Sequence, residues 1–296
     1  NWHGPFEAFN GLIIWFQRPI DKGSVTNGLT GLFNNLNYAG CWLSIIWPFC
    51  IASFFEKTKN VIHKSFSSSF LIAVLVAILL TTSRNAYGGL LLTLPILIGN
   101  SSLFWLFPLG FIFYFSGNFL SEMQLDFIQN NYAMSTILDK IQGLKEIGND
   151  PRLLIWGNSL EMISQKPILG WGAGVYPIIF LNKYGFPANH SHNLFLDLGF
   201  NYGIAVALTI LVIIIFLVFS TFKLIFFRRE KINSQGSSEN FYEKAWWTSF
   251  FVLFLSQMVD VQYYDGRISI MFWILLAGLS NILKGYDTYL EDKTNS

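Results

Sequence analysis

The chain has 296 residues, 52% of them hydrophobic and only 12% charged. Soluble proteins carry about 25% charged residues, so an ordinary water-soluble domain is excluded. Nineteen Lys and Arg against 18 Asp and Glu leave a net charge of +1, with no basic excess for nucleic acid. The 30 Phe, 12 Tyr and 10 Trp suit lipid-facing and interfacial surfaces. The opening residues, Asn1-Trp2-His3-Gly4-Pro5, lack an initiator Met and do not resemble a signal peptide. The chain is expected to be the C-terminal part of a longer protein with earlier spans.

A membrane-crossing helix needs about 20 mostly apolar residues. In chain order, residues 1–37 read as an external segment, followed by four spans within 38–120: Tyr38 to Phe55, Phe66 to Thr82, Ala86 to Gly99 and Leu103 to Leu120. The third is short and holds Pro95, so it is expected to kink or to span only in part. Residues 121–193 form a large external loop. Three spans fill 194–283: Leu194 to Phe227, Ala245 to Val261 and Ile268 to Leu283. The first of these is overlong. Its dense core is Tyr202 to Phe222, and its earlier part is expected to begin near the membrane surface. Residues 284–296 read as a cytoplasmic tail. The fold class is all-α and polytopic, with about seven spans. Cys41 and Cys50 lie nine residues apart on one helix, about 13 Å along its axis, and read as small core residues that cannot pair.

Orientation follows from the short basic loops. Lys57, Lys59 and Lys64 follow the first span, and Arg228, Arg229 and Lys231 follow the fifth. Both groups fall on one side, which is therefore cytoplasmic, with Lys284. The opposite face receives the Ser83-Arg84-Asn85 turn, the 121–193 loop and the Gln262 to Arg267 turn. Within the loop, Ser135 to Ile147 has helical spacing. A second helix runs from about Arg152 to Gln165, opened by Pro151 and capped by Asp150. It places Arg152, Trp156 and Ser159 on adjacent turns and stops near Lys166-Pro167. A glycine-rich turn, Gly170-Trp171-Gly172-Ala173-Gly174, follows.

Arg84, Arg152 and His192 thus converge on the non-cytoplasmic face. A charge close to hydrocarbon is expensive, so an ionisable residue there is a functional suspect. Two guanidiniums suit a phosphate-bearing ligand, and an imidazole suits proton transfer. Plainer readings stand beside these. Arg84 can snorkel to the interface, Arg152 can be an ordinary loop residue, and His192 can cap a helix. His190 and His192 form a His-x-His pair, but no third ligand at zinc-like spacing is evident, so no metal is expected. Asn193 and Asp197, four apart, either orient a hydroxyl or pair with each other. Asp260 and Arg267 flank the last external turn and read as a structural ion pair, or as support for the site.

Several segments together resemble the O-antigen ligase and polymerase family. They are Ser83-Arg84-Asn85-Ala86, Arg152-x-x-x-Trp156 with Lys166-Pro167-Ile168-Leu169-Gly170-Trp171-Gly172-Ala173-Gly174, and His190-Ser191-His192-Asn193-Leu194-Phe195-Leu196. Gly31-Leu32-Phe33-Asn34-Asn35-Leu36-Asn37-Tyr38 is similar to an upstream family segment, with Leu36 in place of proline, and Asp260 to Trp273 is similar to cyanobacterial members. The likeness implies a GT-C-like membrane fold in the bacterial inner membrane, with a periplasmic active face. It implies transfer of a glycan from an undecaprenyl-diphosphate carrier to a lipid, glycan or protein hydroxyl, without cofactor, nucleotide sugar or metal. It places Arg84 and Arg152 on the diphosphate and His192 as base, with Asn193, His190, Asp197, Asp260 and Arg267 as possible support. Where many members carry a Glu shortly after the His-Asn pair, this chain has Asn201. The alternative is a transporter of a small anion such as bicarbonate, which should show paired half-helices or inverted repeats. No such repeat is visible.

Overall fold

The computed structural model describes residues 29–33, 35–56, 60–99, 151–228 and 238–294. Among them the secondary structure is helical, without strands. The chain divides into two compact units, Asn1–Ile147 and Gly148–Ser296. The expected span Leu103 to Leu120 and the helix Ser135 to Ile147 lie outside the described residues.

In the first unit, α1 (Leu36–Phe55) opens at Asn35, whose Oδ1 accepts from the Asn37 and Tyr38 amides and so satisfies two otherwise orphaned donors. α2 (Val61–Leu80) is capped the same way by Asn60, so it starts five residues earlier than its apolar run. α3 (Arg84–Ile98) has only 15 residues and carries Pro95 inside it. At about 1.5 Å per residue it falls short of a bilayer, in line with the expectation of partial spanning. Gly40 lets α1 and α3 approach: a Cβ there would lie 2.8 Å from the Ala86 Cβ. Small residues make this close packing possible where no hydrophobic force pushes helices together in lipid. Cys41 and Cys50 are buried and free.

In the second unit, α4 (Pro151–Gln165) and α5 (Tyr176–Tyr184) pack with α6 (Leu194–Tyr202). Their shared core is Ile155, Met162, Ile163, Tyr176, Phe180 and Phe200. The single overlong span expected over Leu194 to Phe227 is two helices. α6 ends at Gly203 (φ 90°), and α7 (Ile204–Lys223) begins directly after it, followed by a π turn at Leu224–Arg228. The cause is non-local. The strap 166–172 crosses this junction, where Trp171 and Gly172 donate to the Phe200 and Asn201 carbonyls at 2.7 and 3.1 Å. The Pro167 carbonyl in turn takes the Ile204 amide at 2.8 Å. A Cβ at Gly203 would lie 2.0 Å from the Ile168 carbonyl, so only glycine fits.

α8 (Ser238–Ser256) and α9 (Gly266–Thr294) form the last pair, joined by a turn with a 3₁₀ segment at Gln262–Tyr264. Trp246 sits in the notch left by Gly278, and its Nε1 donates to the Leu275 carbonyl at 2.9 Å. α9 continues through 284–294, so the expected tail is helical there. Four described helical stretches are long and apolar enough to cross a membrane: Leu36–Phe55, Val61–Leu80, Ile204–Phe227 and Gly266–Tyr286. The protein is therefore an all-helical, multi-pass membrane protein. α3 and α8 do not reach that standard, so about seven spans exceeds what the described residues carry.

Candidate functional site

His192 stands two residues before α6, with φ at 55°. Left-handed backbone is uncommon outside glycine and often marks a site where the surroundings override strain. The local hydrogen bonds show how it is held. Asn193 caps α6 through Oδ1, taking the Phe195 and Leu196 amides at 3.0 and 3.1 Å. Its Nδ2 donates to the Met258 carbonyl at 3.0 Å, and Leu194 donates to the Gln257 carbonyl at 2.9 Å. The segment is thereby fastened to the turn between α8 and α9.

That turn brings Asp260 to the imidazole. His192 Nδ1 and Asp260 Oδ1 are 3.0 Å apart. Asp260 is buried, with 7% exposure, and also accepts from the Val261 amide at 3.1 Å. Burial pushes its carboxyl up. The hydrogen bond from His192, with the neighbouring Arg152 charge, outweighs that and holds it below the ordinary carboxylate value. Asp260 is thus ionised near neutrality and accepts a proton-bearing Nδ1. His192 Nε2 is then the lone-pair nitrogen. An imidazole fixed in one tautomer by a buried carboxylate is equipped to take a proton from a bound hydroxyl.

His190 lies against His192, with ring centroids 4.3 Å apart at 62°. Its Nδ1 accepts the His192 amide at 3.2 Å, supporting the unusual backbone. Burial, with the Arg152 charge, lowers its pKa to about 4 against the opposing pull of Asp260. It is therefore neutral, with its proton on Nε2, which faces Asp260 Oδ1 at 3.9 Å.

His190, His192 and Asp260 place one ligand-type atom each within 4.8 Å of one another. The third ligand that sequence spacing did not reveal is thus present, supplied from 68 residues downstream. His190 Nδ1 accepts the His192 amide, so coordination through His190 Nε2 would require that ring to change tautomer.

Other expected partners differ from the sequence reading. Asp260 does not pair with Arg267, because Arg267 grips Asp265 through Nε at 3.0 Å and Nη2 at 2.6 Å. The nearer carboxylate wins, since it lies two residues away on the helix entrance. Asn193 does not pair with Asp197. Asp197 Oδ2 instead takes the Tyr264 hydroxyl at 2.5 Å and the Asn201 amide at 3.0 Å. Burial raises the Asp197 carboxyl even though Tyr264, the Ser191 backbone and Asn201 oppose it. This cluster ties α6 to the turn after Asp260.

Arg152 is half-buried at the start of α4, close enough that its charge acts on both His190 and Asp260. Ser159, two turns on, is buried and bonds the Tyr176 hydroxyl at 2.7 Å, a core role. Arg84 belongs to the first unit. It is exposed at the first position of α3, following Ser83, whose Oγ donates to Asn37 Oδ1 at 3.0 Å. Thr82 beside it has φ 54°. Among the described residues, Thr82 and His192 are the two non-glycines with positive φ, and each flanks or forms a suspected site.

Residues 69–211 match a protein-family model described as O-antigen ligase. Over that stretch the chain is similar to the O-antigen ligase family. Arg84, Arg152 and His192 lie inside the matched stretch, and Asp260 lies beyond it. No curated protein matches the chain. The family match and the apolar helices support a membrane protein of polysaccharide biosynthesis, of O-antigen ligase or polymerase type in general. They favour this class over anion transport.

Sequence reasoning treated Asp260 only as possible support. One signal was available: Asp260 is a carboxylate at the end of an apolar run, the same rule that singled out Arg84.

Proposed function

We propose that this protein transfers a glycan from a polyprenyl-diphosphate carrier to an acceptor hydroxyl at the periplasmic face of the bacterial inner membrane. The observation that carries the proposal is the 3.0 Å contact between His192 Nδ1 and buried Asp260. Asp260 holds the ring and stabilises the imidazolium that forms. His192 Nε2 takes the proton of the acceptor hydroxyl, and the oxygen attacks the anomeric carbon. The bond from that carbon to the carrier phosphate breaks, and its electron pair leaves with the diphosphate. A single displacement inverts the anomeric centre. The proton passes from His192 to water before the next turnover.

The leaving diphosphate gains negative charge as the bond breaks, and fixed guanidiniums stabilise it. Arg152 stands where its field reaches His190 and Asp260. Arg84 occupies the first turn of α3, where the helix N-terminus adds to the attraction for an anion. Both arginines are assigned to the diphosphate.

The test is glycan transfer and, separately, lipid-linked donor binding by the His192→Ala protein. Loss of a general base cuts the chemical step by roughly 10² to 10⁴, while donor binding persists because both arginines remain. Transfer within a few-fold of the unaltered protein would make His192 a structural cap and remove the mechanism's base.

A further inference from the structure

The strap 166–172 exposes two adjacent aliphatic side chains, Ile168 at 77% and Leu169 at 83%. Single exposed aliphatics are ordinary. These two are neighbours on a backbone that cannot fold away, because Pro167, Trp171 and Gly172 are bonded to the α6–α7 junction and Gly203 is pressed on the Ile168 carbonyl. Leaving both in water forgoes the free energy of burying two large aliphatic side chains.

Their position gives the reason. The Ile204 amide bonded to Pro167 opens α7. α7 has 20 residues, hence about 30 Å of length, the thickness of a bilayer's hydrocarbon core. Exposed Lys223 lies near the far end of the crossing stretch Ile204–Phe227, where its ammonium can reach the headgroup level of one leaflet. Ile204 therefore stands at the hydrocarbon boundary of the other leaflet, and the strap stands there with it. Below, α7 exposes Leu208, Val212, Phe216 and Phe219, a face suited to lipid. Exposed Lys166 sets its ammonium over the Trp171 ring at 4.2 Å, at the height of phosphate headgroups.

We infer that Ile168 and Leu169 form a plug inserted into the acyl region of the phospholipid leaflet beside the start of α7. The partner is the bilayer itself. Since Trp171 stacks on Phe200 and α4 packs on α6, the plug fixes the depth of α4 and α6, and His192 stands two residues before α6. This inference rests on the membrane-spanning helices and not on the proposed transfer chemistry.

The experiment places a nitrobenzoxadiazole label on Leu169→Cys in the otherwise native full chain, where Cys41 and Cys50 are buried. The protein is reconstituted in phosphatidylcholine–phosphatidylglycerol vesicles. A label at Val212→Cys marks the mid-span lipid face. The expected result is blue-shifted emission at 169, loss of intensity with shallow acyl-chain spin labels, and protection from aqueous iodide. Val212→Cys responds to deeper labels. Iodide quenching at 169 without acyl quenching overturns the plug and leaves the tip in water. Protection from both quenchers overturns it in favour of a protein cover. Acyl-type quenching that appears only after a polyprenyl phosphate is added would assign the tip to the carrier chain instead.

Discussion

The segments around His192 and Arg84 look alike in sequence: each is a short polar break beside an apolar helix, and each forces a non-glycine residue into left-handed backbone. Their side chains are treated in opposite ways. His192 is tied through its ring to a buried carboxylate and through its backbone to His190. Arg84 is exposed at a helix entrance. A base must be oriented before substrate arrives, because proton transfer is sensitive to a fraction of an ångström. A phosphate clamp needs reach and charge at a position that substrate can meet. The contrast is that between a fixed group and a receiving one.

The largest effect should come from breaking the fixed side. Asp260→Asn removes the charge that selects the Nδ1–H tautomer while keeping shape. Transfer should fall by roughly 10² or more, with donor binding retained, and the pH profile of transfer should change with it. An unchanged profile and rate would show that Asp260 only fills space. On the receiving side the loss should be smaller and should fall on the donor. Arg84→Lys keeps charge but loses the planar fork, so it should lose much of its transfer activity, and Arg152→Ala should weaken donor binding. If both variants bind and turn over lipid-linked glycan normally at equal expression, the clamp is elsewhere.

The smallest effect concerns stability. His190 titrates near 4 in the folded protein and near 6.5 when unfolded. Between those values the unfolded chain binds the extra proton, so stability is fully present above about 6.5 and is lost as pH falls towards 4. The span amounts to at most about 3 kcal/mol. His190→Gln should flatten this dependence in thermal unfolding of the detergent-solubilised protein. An unaltered slope would place the titrating group elsewhere.

Local features of the fold were legible from sequence. Pro151 marks the start of α4, the Lys166-Pro167 pair its end, and the apolar runs mark α1, α2, α7 and α9. Arg152 and His192 could be suspected because polar groups near hydrocarbon need a reason. What escaped depends on contacts between distant segments. The apolar run from Leu194 to Phe227 gives no hint of a break, because the Pro167 carbonyl that captures the Ile204 amide lies some turns upstream in another element. The early start of α2 was hidden because Asn60 caps a polar first turn with no apolar signal. Asp260 looked like a partner for Arg267 because both flank one turn, and only the folded hairpin of α8 and α9 delivers it to His192.

That hairpin has a further consequence through Trp246. Its indole fills the notch at Gly278, where a Cβ would lie only 2.3 Å away. The ring therefore acts as a pin that sets the longitudinal register of α8 against α9. Slipping one helix past the other by a single turn would move the connecting bend by about 5.4 Å, well beyond hydrogen-bond range for a carboxylate placed at 3.0 Å from its imidazole. The alignment of the two polar groups at the surface is in this sense decided far down the helices, by one indole and one missing side chain.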